Sequence, residues 1–291
     1  GPAAELTELT GGQGIRLLAA QAGPDLKAAG YTESEYEAYG TATSYAPDKP
    51  LAADGAFYLK PSATAPYATR IVVRRPARPA DFNGTVVVEW LNVSSGADAA
   101  PDYTYLADEL LRSGYAWVGV SAQRIGVEGG EVAVSTPLDE QAGAGKGLKK
   151  LDPARYGKLD HPGDAFSYDI FTQASRAIRN TSAGTPMHGL EVSRVLAAGE
   201  SQSAFALTTY VDGVQPLTHQ FDGFLIHSRG GAAAPLGEAG TGIDIAGTVG
   251  GQPTRIRTDV AVPVLMVETE TDVLGILDYH PARQPDTDEI R

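Results

Sequence analysis

The sequence predicts an α/β fold with a mostly parallel central sheet flanked by helices, and three observations predict it. Short β-branched apolar runs alternate with amphipathic stretches, the pattern of successive βαβ units. One of these runs passes into a helix through a tight turn of small residues. At 291 residues the chain suits a single hydrophobic core, and no repeat or linker divides it, so one domain spanning 1–291 is expected.

The first strands are 69–74 (TRIVVR) and 85–90 (TVVVEW). The turn Asp81-Phe82-Asn83-Gly84 between them predicts a hairpin, and hence an antiparallel start to the sheet. Residues 115–121, 194–198, 221–227 and 262–267 follow as buried strands. Helices are expected over 102–113, where Leu106 and Leu110 lie four apart and Gly114 supplies a C′ residue, and over 164–180 and 203–214. Segments 126–159 and 228–258, rich in Gly and polar residues, read as excursions over the sheet and as candidate lid or pocket loops.

Composition excludes several functions. With 23 Lys and Arg against 36 Asp and Glu, the net charge is −13, so a phosphate backbone is repelled and no nucleic-acid partner is expected. There is no cysteine, which removes disulfides, thiolate nucleophiles and zinc–cysteine sites and leaves oxygen and nitrogen chemistry. The longest apolar runs fall far short of the ~20 residues that span a bilayer. The compartment is open, with a secreted or periplasmic location placed ahead of a cytoplasmic one.

The chemistry concentrates in Arg194-Val195-Leu196-Ala197-Ala198-Gly199-Glu200-Ser201-Gln202-Ser203-Ala204. A strand runs into Gly199, small residues flank Ser201 at −2 and +2, and a helix follows. That is what a nucleophile elbow requires: a turn tight enough to lift a serine hydroxyl clear of the sheet at a helix N-terminus. Ser203 stands where a second glycine is usual. The alternative is an ordinary strand-to-helix connection in which Ser201 only caps the helix.

An oxyanion hole needs the N–H after the nucleophile, that of Gln202, and one from the loop after an earlier strand, for which Leu91 is first choice and Asn92 second. The acid belongs beyond a later strand, so Asp272 is expected, with Glu270 in reserve. Glu200, Asn92 and His227 are placed in the substrate pocket, His227 because a strand end in an open sheet faces bound ligands. No metal site or cofactor is called for.

Histidine is the difficulty, because the serine proton needs a base. His161, His188 and His219 read as surface residues, and His280 follows Asp272 by only eight residues. The expectation is that the last sheet strand is missing from these residues and that the base follows it, beyond Arg291 or on a separate polypeptide.

Several stretches together resemble one family, the bacterial alpha/beta hydrolase domain proteins: 29–36, 65–76, Phe82 to Val93, 114–123, Asp152 to Gly157, His161-Pro162-Gly163-Asp164, Gly199 to Ala204, and His227-Ser228-Arg229-Gly230. The resemblance covers nearly the whole chain. It implies an α/β-hydrolase fold, a serine nucleophile, esterase activity and a C-terminal histidine segment, and supplies no substrate; the partner expected from the site's chemistry is a small-molecule ester. Amide cleavage by the same serine, or a silent fold used for binding, are the competing expectations.

Overall fold

The computed structural model describes residues 1–19, 23–135 and 143–291. Eight strands form one sheet: β1 (Glu5–Glu8), β2 (Tyr31–Pro47), β3 (Leu59–Pro76), β4 (Thr85–Trp90), β5 (Ala116–Val120), β6 (Arg194–Glu200), β7 (Gly223–His227) and β8 (Val264–Val267). Their spatial order is β1-β2-β3-β5-β4-β6-β7-β8. The strands from β5 to β8 are mutually parallel, and β1, β2 and β3 add an antiparallel wing.

The expected hairpin between β3 and β4 does not form. Strand β3 instead pairs antiparallel with β2, from Tyr31↔Pro76 to Pro47↔Leu59, and with β5. The reason is burial: all six residues of β4 are buried, so this strand belongs inside the sheet with a parallel neighbour on each side. The turn does other work, since the Asn83 side chain accepts from Thr85 N–H (2.8 Å) and donates to Ser113 C=O (2.8 Å).

Helix α1 (Pro101–Arg112) follows β4 and packs Tyr103, Ala107 and Leu110 on the sheet face that carries Val87, Leu91, Trp117 and Ala198. Helices α2 (Ser167–Ile178) and α3 (Gln202–Thr209) cover the opposite face, where Phe171, Ile170, Phe205 and Leu207 meet Val86, Val88 and Val195. Each large apolar side chain so buried contributes about 1.5–3 kcal/mol. The short helix α4 (Glu270–Leu274) follows β8, and Ile290 pairs in parallel with Val264 on the outer side of that strand.

Of the two expected excursions, 126–159 includes residues 136–142, which lie outside the described residues. The remainder packs inward at Tyr156 and Leu159. Segment 228–258 is tied to α3 by the Ala234 N–H to Phe205 C=O bond (3.0 Å). Among the described residues, no helix is long and apolar enough to cross a membrane.

Candidate active site

At the end of β6 the backbone turns sharply. Ser201 has φ +54° and ψ −115°, a conformation that costs a non-glycine residue about 1–3 kcal/mol and persists only where the surroundings enforce it. Here they do. The Ser201 N–H donates to His227 C=O (2.9 Å), and Ala204 N–H donates to Ser201 C=O (2.9 Å). Close approach favours glycine at 199: a Cβ there would lie 3.0 Å from Leu207 and 3.1 Å from both Ser203 Cβ and Ser203 O, so those neighbours would have to shift. Ser203 itself is fully buried and its hydroxyl has no partner among the described residues.

Gln202 is the first residue of α3, so its N–H has no intrahelical acceptor. Its side chain is spoken for: Oε1 accepts from Val93 N–H (3.2 Å) and Nε2 donates to Gln123 Oε1 (2.8 Å), an oxygen that also accepts from Trp90 Nε1 (3.0 Å). Leu91 departs from expectation. Its N–H donates to Val120 C=O (3.2 Å) and its side chain lies in the α1-side core, so that amide is not free for an oxyanion. The Asn92 N–H is likewise committed, to Ala99 C=O (2.9 Å), and Asn92 Nδ2 donates to Glu200 C=O (3.0 Å). Asn92 therefore clamps the elbow from the neighbouring loop.

On the α1 side of the elbow, Glu200 and His227 are register partners on β6 and β7. His227 Nδ1 lies 2.8 Å from Asp102 Oδ1, at the start of α1, while Asp102 Oδ2 is buried without a partner among the described residues. Sequence reasoning used Asp102 only as a helix start. Beneath it, Glu89 accepts from Asp102 N–H, Tyr103 N–H (both 2.9 Å) and Trp117 Nε1 (3.0 Å). Burial, with Asp102 next, holds the Glu89 carboxyl well above the usual range. Burial, then Asp102, also pushes Glu200 up to about 7. The hydrogen bond to Asp102 raises His227. A lone glutamate inside the apolar run TVVVEW was the signal for this cluster.

Asp272 sits in the first turn of α4, where it and Thr269 form a capping box. Its Oδ2 accepts from Thr269 N–H (2.7 Å) and from Ser228 Oγ–H (2.8 Å). Burial opposes ionisation there, but the Thr269 N–H and hydroxyl and the Ser228 hydroxyl outweigh it and hold Asp272 below its ordinary value. Glu270 is exposed on the same turn. The other histidines do not reach the site as bases. His161 corrects the surface expectation: it is fully buried, with Nε2 2.8 Å from Ala122 O. His188, His219 and His280 are exposed.

Glu268, just after β8, has both carboxylate oxygens buried without a hydrogen-bond partner among the described residues. Burial, with Asp272 adding and Arg229 opposing, pushes it up to about 8. The folded protein therefore keeps this proton up to about pH 8, whereas the unfolded chain releases it near 4.5, so stability is lost as pH rises across that window. Glu268→Gln is expected to raise the melting temperature at pH 8 and to leave it nearly unchanged at pH 4.5. Thermal unfolding at the two pH values checks this.

A strand, a strained serine and a helix N-terminus at the carboxyl edge of a parallel sheet define a hydrolase-type α/β protein. The chain belongs to the Alpha/beta hydrolase domain family, which matches residues 2–291. No curated protein sequence matches it. Among solved structures it is similar to a putative dienelactone hydrolase from Klebsiella pneumoniae, at 13% identity and TM-score 0.37, over 74% of this chain and 77% of that one. It is also similar to a cold-adapted esterase from an Arctic intertidal metagenomic library, at 12% and 0.39, over 84% and 78%. A glucuronoyl esterase from Solibacter usitatus matches at 12% and 0.37 over 80% of this chain, which spans about half, 54%, of that protein. Family membership rests on the family match.

Proposed function

We propose that the protein is a serine hydrolase that cleaves carboxylic esters through an acyl-enzyme on Ser201. One observation carries the reading: the left-handed strain at Ser201, held between a parallel strand and the first turn of α3. In this reading Ser201 Oγ attacks the ester carbonyl carbon as its proton passes to an imidazole. The Gln202 N–H and the dipole of α3 stabilise the oxyanion. The alcohol leaves with the imidazole's proton, and water, deprotonated by the same imidazole, releases the acid and restores Ser201.

Asp272 is the proposed orienting acid. Its Oδ1 accepts no hydrogen bond from the described residues, so we place the base's imidazole opposite it. One observation favours a second reading of the base: His227 is already oriented by Asp102 through Nδ1 (2.8 Å), which leaves Nε2 for proton transfer. Glutamine at 227 decides between them. If His227 is the base, His227→Gln slows p-nitrophenyl ester turnover by roughly 10²-fold or more. If it is a pocket residue, the ester KM moves more than kcat.

A panel of p-nitrophenyl esters and peptide anilides tests the substrate class. Turnover confined to the esters supports the proposal, and preferential anilide cleavage contradicts it.

A further inference from the structure

Ser228 follows the last residue of β7, and its backbone is left-handed, φ +52°. It is buried, and its N–H donates to Val267 C=O (2.7 Å), which fixes it against the end of β8. Its hydroxyl donates to Asp272 Oδ2 (2.8 Å), the oxygen that also accepts from Thr269 N–H (2.7 Å). With two donors on Oδ2, the carboxylate cannot rotate without breaking both, and among the described residues no donor lies within hydrogen-bond distance of Oδ1. The preceding residue, His227, supplies the carbonyl that holds the Ser201 N–H (2.9 Å). Consecutive residues at one strand end thus anchor the nucleophile and the acid. A glycine would relieve the left-handed strain at 228 but would offer no donor.

We propose that Ser228 is a positioning residue, whose strained backbone aims its hydroxyl at Asp272 and so presents the remaining carboxylate oxygen to the catalytic imidazole. This rests on the reading of Asp272 as the acid of a Ser201-dependent hydrolase. Ser228 acts through Asp272 and does not touch substrate.

The test compares Ser228→Ala and Ser228→Gly in the whole protein, reading ester kcat and KM, thermal stability, and the titration of the Asp272 carboxyl by NMR. Both variants are expected to lose about tenfold in kcat with KM unchanged. The glycine variant is expected to melt no lower than the wild type, so its loss of rate does not reflect unfolding. In both, Asp272 titrates at a higher pH, because a donor that favours the carboxylate is gone. Wild-type kcat in Ser228→Gly, or an unmoved Asp272 titration, would overturn the proposal. If wild-type turnover does not depend on Ser201, the hydrolase reading fails and the catalytic role of Ser228 with it, while the titration separately reports whether the contact exists.

Discussion

Replacing Ser201 by alanine is expected to reduce ester turnover by three orders of magnitude or more, to roughly what oxyanion binding alone can sustain. The fold should survive, because the anchors of the turn are backbone bonds: Ser201 N–H to His227 C=O and Ala204 N–H to Ser201 C=O. Alanine inherits the strained φ of +54°, whereas glycine adopts it freely. Ser201→Gly should therefore be as inactive as Ser201→Ala yet more stable by about 1 kcal/mol. Ester kinetics and denaturant unfolding of the pair check both halves. Equal stability of the two would mean that the serine is not strained.

The second large effect lies behind the loop that faces the elbow. Arg70 is fully buried, and its guanidinium donates to Glu35 (2.8 Å), Asp98 (2.7 Å), Ser121 Oγ (2.9 Å) and the Arg16 carbonyl (2.8 Å). Glu35 also receives Arg155 Nε (2.6 Å) and the Tyr156 hydroxyl (2.8 Å), so it keeps partners without Arg70. Asp98 does not fare as well. Among the described residues only the Ser121 hydroxyl remains to it, and its Oδ1 is already buried without a partner there. Removing one member of a buried ion pair leaves an uncompensated charge, at a cost of about 3–5 kcal/mol. Arg70→Met is expected to destabilise the protein by that amount in denaturant unfolding followed by tryptophan fluorescence. A loss below about 1 kcal/mol would mean that water reaches the network. Ala99, next to Asp98, closes the loop that begins at Asn92, so the same substitution should also slow the ester reaction.

The parallel half of the fold was legible because its strands are short, mostly apolar β-rich runs: 85–90, 115–121, 194–198, 221–227 and 262–267 each contain or overlap an observed strand, although β8 was expected buried and has Leu265 and Val267 exposed. Of the antiparallel wing, only 69–74, inside β3, was legible. Strand β2, YTESEYEAYGTATSYAP, carries Ser, Thr, Glu and Tyr along a strand buried at only a few positions, so hydrophobic periodicity is silent there. The hairpin expected from Asn83-Gly84 shows the converse error, in which local turn chemistry was given more weight than the burial of β4.

At the site, the strained turn at Ser201 was readable because such a turn constrains neighbouring residue types, as Gly199 shows. Leu91 was misassigned because whether a backbone amide is free depends on strand register, which a sequence does not state. Asp102, Glu89, Arg70 and Asp98 escaped for another reason. Their partners lie 13 to 125 residues away, and single charged residues in a sequence do not announce which of them will be buried together.

Treating the protein with a fluorophosphonate and locating the adduct by peptide mass spectrometry reads the nucleophile directly. A single phosphonyl group is expected on Ser201, absent from Ser201→Ala. An adduct on Ser203 or Ser228, or none under conditions where esters are turned over, would contradict it.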